Sequence, residues 1–306
     1  MLSFFSAAQH LVIQLLTNTN TPFWQLAHSL FLTMISTVVV CFVVGELTRN
    51  YSQVDKIWSI MPIIYSGITL YTFPYSPRIL LMTVLVTAWG LRLTFNFSRK
   101  GGYNKIPWKG EEDYRWEILR QDPKLQGFRI VLFNLFFISF FQQFLIFLFS
   151  MPLLIAAANS EVVLNGMDYA AAIALLTFLS IETTADNQLF KFHLQKQNKI
   201  EVDGKFKNSL EKGFMVNGLW KYVRHPNFIC EQLVWVSFYF FGVAASGEWI
   251  NWTLAGPILL ILLFIGSSEF TESVSMKKYP EYVRYKQSVP RYFPFKKNNS
   301  NTYPQN

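Results

Sequence analysis

Seven apolar runs, each close to the length of one membrane crossing, divide this chain of 306 residues. They cover roughly residues 26–44, 57–73, 78–97, 130–157, 168–190, 229–246 and 253–273. A hydrocarbon core about 30 Å thick takes a helix of about 20 mostly apolar residues. No water is present there to satisfy backbone polar groups, so a single spanning segment must be helical. The expected fold is all-α: a polytopic membrane helical bundle of about seven transmembrane helices. The fourth run is long enough to tilt or break, and Pro152 favours a break. Thirty phenylalanines and a charged fraction of only 15% agree with burial in lipid.

The formal charge of +8 invites a nucleic-acid reading, but its distribution excludes one. Residues 45–56, 98–129, 191–228 and 274–306 hold 25 of the 27 lysines and arginines. Those four segments share one side of a seven-span topology. The bias is the positive-inside pattern, with the N-terminus outside and the C-terminus cytosolic. Arg78 is the exception in an outer loop, and Arg92 falls inside the third run. The basic charge thus reflects topology and attraction to anionic lipid.

Residues 1–25 read as an N-terminal interfacial segment, without the basic start and cleavage site of a signal peptide. Residues 26–295 form the membrane domain, and 296–306 a polar tail. Cys41 and Cys230 both fall in apolar runs, so no disulfide framework is expected. The sequon Asn251-Trp252-Thr253 lies in a short outer loop close to the membrane and is expected to be unused. The expected location is an integral multi-pass position in the endoplasmic reticulum or a bacterial inner membrane.

Chemistry concentrates in Gly218-Leu219-Trp220-Lys221-Tyr222-Val223-Arg224-His225-Pro226-Asn227-Phe228, followed by Glu231 and Trp235. The stretch sits where a basic loop meets an apolar run. Pro226 suits the first turn of a helix, where its missing N–H is not needed, and helix N-termini favour anions. The motif reads as a helix entrance that holds a charged ligand, or as an interfacial anchor of Arg and Trp. Acids at or inside the runs are Asp55, Glu182, Asp186, Glu231, Glu269 and Glu272. With Arg92 they all fall on the cytosolic half, which points to a pocket open to that side. Asp55 and Glu272, taken alone, read as helix-end acids that snorkel to headgroups. No histidine is spaced with another for zinc, so no metal site is expected. No P-loop, strand-borne Gly-x-Gly-x-x-Gly or Gly-x-Ser-x-Gly element is present, which excludes a Rossmann nucleotide domain and leaves a serine hydrolase unsupported.

The motif Gly218-Leu219-Trp220-x-Tyr222-x-Arg224-His225-Pro226-Asn227-Phe228-x-x-Glu231 resembles the signature of the steroid 5-alpha-reductase superfamily. The likeness is to its multi-span branch with a reductase-like C-terminal domain. Asp55-Lys56-Ile57-Trp58, Trp89-Gly90-Leu91-Arg92-Leu93 and Glu112-Asp113-Tyr114-Arg115-Trp116 also match. So do Glu182-x-x-x-Asp186-x-Gln188, Lys278-Tyr279-Pro280-Glu281-Tyr282-x-x-Tyr285 and Val289-Pro290-Arg291-Tyr292-Phe293-Pro294. The resemblance covers about residues 50–295, with the reductase-like half at about 168–295.

It implies a seven-helix membrane reductase that uses NADPH to saturate a carbon–carbon double bond conjugated to a carbonyl, in a steroid-like or other apolar lipid. The implied cofactor contacts are Asn227, Phe228 and Glu231, with Asp186 and Gln188 from the fifth run and Tyr222, Arg224 and His225 at the mouth. Asp55 stands where the family's substrate acid lies, with Arg92 on a neighbouring helix, and Trp89 occupies the place of the family's third-run tyrosine. Asp55 is either the acid on the substrate carbonyl or half of a structural ion pair with Lys56 or Arg92.

Two other readings stay open. One is a membrane methyltransferase of the isoprenylcysteine carboxyl type using S-adenosylmethionine, because Tyr282, Tyr285, Pro290 and Pro294 fit that ending as well. The other is a non-enzymatic lipid-binding protein that kept the fold.

Overall fold

The computed structural model describes residues 21–106, 108–202 and 204–294. The expected polar tail and most of the N-terminal segment lie outside the described residues. Among those described, all regular secondary structure is helical. The helices are α1 Pro22–Thr48, α2 Gln53–Trp58, α3 Met61–Thr72, α4 Pro77–Ser98, α5 Tyr114–Gln121 and the long run α6 Phe128–Ala158. They continue as α7 Gly166–Lys196, α8 Lys207–Lys212, α9 Pro226–Ser246, α10 Ala255–Lys278 and α11 Tyr282–Ser288.

All seven expected runs are helical. Among the described residues, five stretches are long and apolar enough to cross a membrane: α1, α4, α6, α9 and Trp252–Lys278, which adds a short turn to α10. α3, at 12 residues, rises only about 18 Å, short of a bilayer core. α7 has the length, with 31 residues, but Asp168, Glu182, Asp186, Lys191 and Lys196 interrupt its apolar character.

Sequence signals set the helix ends. Pro22, Pro77, Pro152 and Pro226 all open helical segments. Thr21 and Ser76 cap the N–H groups of Trp24 and Ile79. Inside the helices, hydroxyls of Thr33, Thr37, Thr83, Thr183 and Ser237 donate to the carbonyl four residues back. That satisfies them locally, as an apolar medium demands.

Two compact units account for the chain. The first comprises Met1–Ala172 and Phe238–Pro257, the second Ile173–Ser237 and Ile258–Asn306. In the first, Gly90 of α4 meets the carbonyl of Ser59 and the side chain of Ile63, where an added Cβ would stand 2.6 Å from that oxygen. A small residue is what lets the helices approach so closely. α6 breaks at Pro152, as expected, and contains a π-helical segment, Asn134–Phe141. There Asn134 donates to Glu46 at 2.8 Å and accepts from Ser139 at 3.2 Å, so the acid near the end of α1 is satisfied.

Arg78 does not lie free in an outer loop. It is fully buried in the first turn of α4 and grips Asp168 of α7 through Nε (2.8 Å) and Nη2 (2.9 Å). Its remaining donors reach the carbonyls of Val162 and Val163, both at 2.9 Å. The bidentate fork and the extra carbonyls are what a buried cation requires.

In the second unit two aromatic clusters anchor the loop between α7 and α9. Phe192, Phe206, Met215 and Trp220 form one; Phe214, Tyr282, Tyr285 and Val289 form the other. The Tyr285 hydroxyl donates to the Trp220 carbonyl at 2.5 Å, tying α11 to the motif.

Candidate functional site

The motif begins as a short 3-10 turn, Gly218–Lys221, seated on α7. Gly218 takes φ +63° and lies so close to Gln188 that a Cβ would collide with its amide. Both facts require glycine. The Gln188 Oε1 then accepts the N–H of Leu219 at 2.9 Å. Pro226 starts α9, and one residue later Asn227 turns towards α7, its Nδ2 donating to Asp186 Oδ1 at 3.2 Å. The other amide atom, Asn227 Oδ1, is buried without a hydrogen-bond partner. Glu231 is buried and accepts from Trp235 Nε1 at 3.2 Å.

Arg224 and His225 turn to α10 instead. A single oxygen, Oε1 of Glu272, receives Arg224 Nε at 2.7 Å and His225 Nε2 at 3.0 Å. Arg224 also donates to the carbonyls of Lys286 and Val289. Its backbone N–H and that of His225 donate to the carbonyls of Pro290 and Arg291. Lys286 and Arg291 approach the second oxygen of Glu272, at 3.3 and 3.8 Å. Glu272 is 0% exposed, so it is not the snorkelling acid that its position suggests. Burial holds the His225 imidazole below its usual pKa, against the upward pull of Glu272 and with Arg224 and Arg291 reinforcing the lowering. Phe228 stacks on the His225 ring and meets Phe264 edge-on. Tyr222 is 62% exposed.

Two recesses open in this unit. A cavity of about 360 Å³ is lined by Thr184, Asn187, Gln188 and Lys191 of α7, with Lys205, Phe206 and Gly218. A cleft of about 480 Å³ is lined by Arg224, Ile265, Lys286, Val289, Pro290, Arg291 and Tyr292. Neither lining includes Asn227, Phe228 or Glu231. The sequence-predicted residues therefore come together in small sets rather than around one void: Asp186 with Asn227, Gln188 with the Gly218 turn, Arg224 and His225 on Glu272.

Asp55 and Arg92 belong to the first unit. Asp55 Oδ2 accepts from Ser52 Oγ at 2.7 Å and from the Trp116 indole at 2.8 Å. Two neutral donors thus hold Asp55 Oδ2. Burial pushes the Asp55 carboxyl up, while the Arg115 charge pulls it down less strongly. Asp113, beside it, also feels burial, but the bidentate Arg115 holds it below the carboxylate range. Lys56 donates to Gln53 and to the carbonyl of Lys109. Arg92 is half-buried near the end of α4. Among the described residues no group of three His, Cys, Asp or Glu could hold a metal.

Sequence reasoning missed Glu272 as a hub, Lys191 and Lys205 as cavity cations, and Trp116 as the partner of Asp55. Only Glu272 carried a signal: an acid three residues after Glu269 on an apolar helix, with lysines and arginines downstream.

A family profile described as a protein of unknown function, DUF1295, matches residues 41–289. The chain belongs to the DUF1295 family. It is similar to uncharacterized protein C594.04c of Schizosaccharomyces pombe, 38% identical over 276 residues that cover 84% of this chain and 78% of that one. No solved structure matches the chain. The match takes in α2 to α11, with Pro290, Arg291 and Tyr292 of the cleft just beyond it. With five helices able to cross a membrane, this family member is a membrane protein.

Proposed function

We propose that this DUF1295 protein is a membrane-embedded, NADPH-dependent reductase acting on a carbon–carbon double bond conjugated to a carbonyl, in a steroid-like or other apolar lipid. The observation that carries the reading is the Asn227–Asp186 pair. It holds the amide so that Asn227 Oδ1 is buried with no partner. Buried polar atoms in native proteins are almost always satisfied, so an orphan of this kind asks for a ligand donor. The likeness of Arg224-His225-Pro226-Asn227-Phe228-x-x-Glu231 to the steroid 5-alpha-reductase superfamily points the same way.

The residues present fit the cofactor. Lys191 and Lys205 offer charge for phosphate at the cavity beside Gln188, and Thr184, Asn187 and Gln188 offer hydrogen bonds to a sugar. Asn227 and Asp186 would hold an amide-bearing ring. When bound, NADPH supplies a hydride to the electrophilic carbon of the substrate. The apolar lining of α9, with Trp235 and Phe238 buried, excludes water from the chemistry. Glu272 acts behind the site by fixing Arg224 and His225. Within the first unit, burial favours the protonated form of Asp55, which can donate a hydrogen bond as the substrate acid implied by the resemblance does. The endoplasmic reticulum or a bacterial inner membrane is the proposed location.

A second reading draws on the packing of Tyr285 and Pro290 against the Arg-His-Pro turn. An isoprenylcysteine-type methyltransferase using S-adenosylmethionine has the same ending. Isothermal titration of the purified protein with NADPH, NADH and S-adenosylmethionine separates the two. The reductase reading expects NADPH to bind; S-adenosylmethionine binding alone would replace it, and binding of none would favour a lipid-binding role.

A further inference from the structure

The cleft against Glu272 is a second recess with its own chemistry; of its lining the reductase reading uses Arg224, and neither Lys286 nor Arg291. It lies at the start of α9 and against the middle of α10, both helices long and apolar enough to cross a membrane. Arg224, Lys286 and Arg291 line it, and one fully buried carboxylate faces all three. Glu269, the other acid in reach, sits on the rim with 62% of its side chain exposed.

The three cations are not held alike. Arg224 is fixed by Glu272 Oε1 and two backbone carbonyls. Lys286 and Arg291 stand at 3.3 and 3.8 Å from Oε2, which has no hydrogen-bond partner. Their side chains keep 36% and 24% of their surface exposed, so a ligand can reach them without unfolding the turn. The remainder of the lining is apolar: Ile265 from the membrane-crossing helix, with Val289 and Pro290. The Tyr292 phenol adds a polar edge, tied to Phe264 and Ser268.

We infer that this cleft binds the phosphate of an anionic phospholipid, with Lys286 and Arg291 as the headgroup clamp and Ile265 along the first part of an acyl chain. A cationic rim over an apolar floor at a helix end suits an amphiphilic anion better than a free ion or a fully polar ligand. The carboxylate of Glu272 does not oppose this. It is buried behind the cations and already neutralised by Arg224. A bound headgroup would also secure the segment from Lys286 to Tyr292 against the Arg-His-Pro turn. The inference does not depend on which reaction the protein performs.

The test is native mass spectrometry of the full-length protein in detergent, with dioctanoyl phosphatidylglycerol as probe. Dioctanoyl phosphatidylcholine, inorganic phosphate and NADPH serve as comparisons. The wild-type protein should retain phosphatidylglycerol in preference to phosphatidylcholine. Lys286→Gln and Arg291→Gln should each weaken retention on the order of fivefold, and together about 30-fold. Lys286→Arg, which keeps the charge, should bind like the wild type. Equal retention of phosphatidylcholine would overturn the proposal, as would unchanged retention in the double variant. Competition by inorganic phosphate alone would make the cleft a free-anion site, and displacement of the lipid by NADPH would make it part of a nucleotide site. Either result also contradicts the assignment.

Discussion

Asn227 and Asp186 meet through one hydrogen bond, amide Nδ2 to carboxylate Oδ1 at 3.2 Å. That bond decides which way the amide faces, since the two ends of an asparagine are told apart only by their partners. It presents the amide oxygen, rather than the amino group, to whatever binds. Asp186→Ala removes the constraint and lets the amide turn. Leaving a buried polar group mispaired costs about 1–3 kcal/mol. NADPH affinity should fall roughly 5- to 150-fold, measured by titration on folded protein; unchanged affinity would remove Asp186 from the site.

Glu272→Gln keeps the size of the side chain but deletes the charge that three cations share. Removing one partner of a buried ion pair costs about 3–5 kcal/mol. The segment from Tyr282 to Tyr292 should then detach from the motif. Limited proteolysis should cut within that segment faster in the variant than in the wild type, and equal cleavage rates would show that the tail docks by other means.

The pH dependence follows from His225. Burial holds its folded pKa below the ordinary imidazole value of about 6.5, so the folded state binds fewer protons than the unfolded state in the window below that value. Stability is then fully present above about pH 6.5 and is lost as pH falls through that window. Arg224 and Arg291 disfavour the imidazolium and Glu272 favours it, with burial deciding the sign. A melting-temperature profile from pH 8 to 5.5 should show this decline in the wild type and a flatter line in His225→Gln. A steeper decline in the variant would reverse the assignment.

Gly218→Ala should destabilise the protein by at least about 1–2 kcal/mol. That is the cost of a left-handed conformation with a Cβ, before the clash with Gln188 is counted. Denaturation followed in detergent tests it, and a neutral substitution would mean that the turn moves off α7.

Much of this was legible in the chain. Hydropathy located the helices, and the prolines and hydroxyl residues before them marked their starts. The likeness of residues 218–231 to reductases pointed to α7 and α9 before their packing was known. The missing parts are long-range. Arg78 and Asp168 are 90 positions apart, and Arg224 and Glu272 are 48 apart. A local reading sees only a loop cation and a helix-end acid at those places. The partner of Asp55 was hidden for the same reason, because Trp116 lies 61 positions away. Local pattern fixes where a charged residue sits along a helix; only packing decides what neutralises it.

The most direct test of the central claim is a thermal-shift measurement on the wild type and on Asn227→Ala, with NADPH or S-adenosylmethionine at saturating concentration. A ligand at 100 times its Kd stabilises the folded state by about 2.7 kcal/mol. The account predicts a clear rise in Tm with NADPH, none with S-adenosylmethionine, and loss of the NADPH shift in Asn227→Ala. A rise with S-adenosylmethionine alone, or an NADPH shift that survives in the variant, would contradict it.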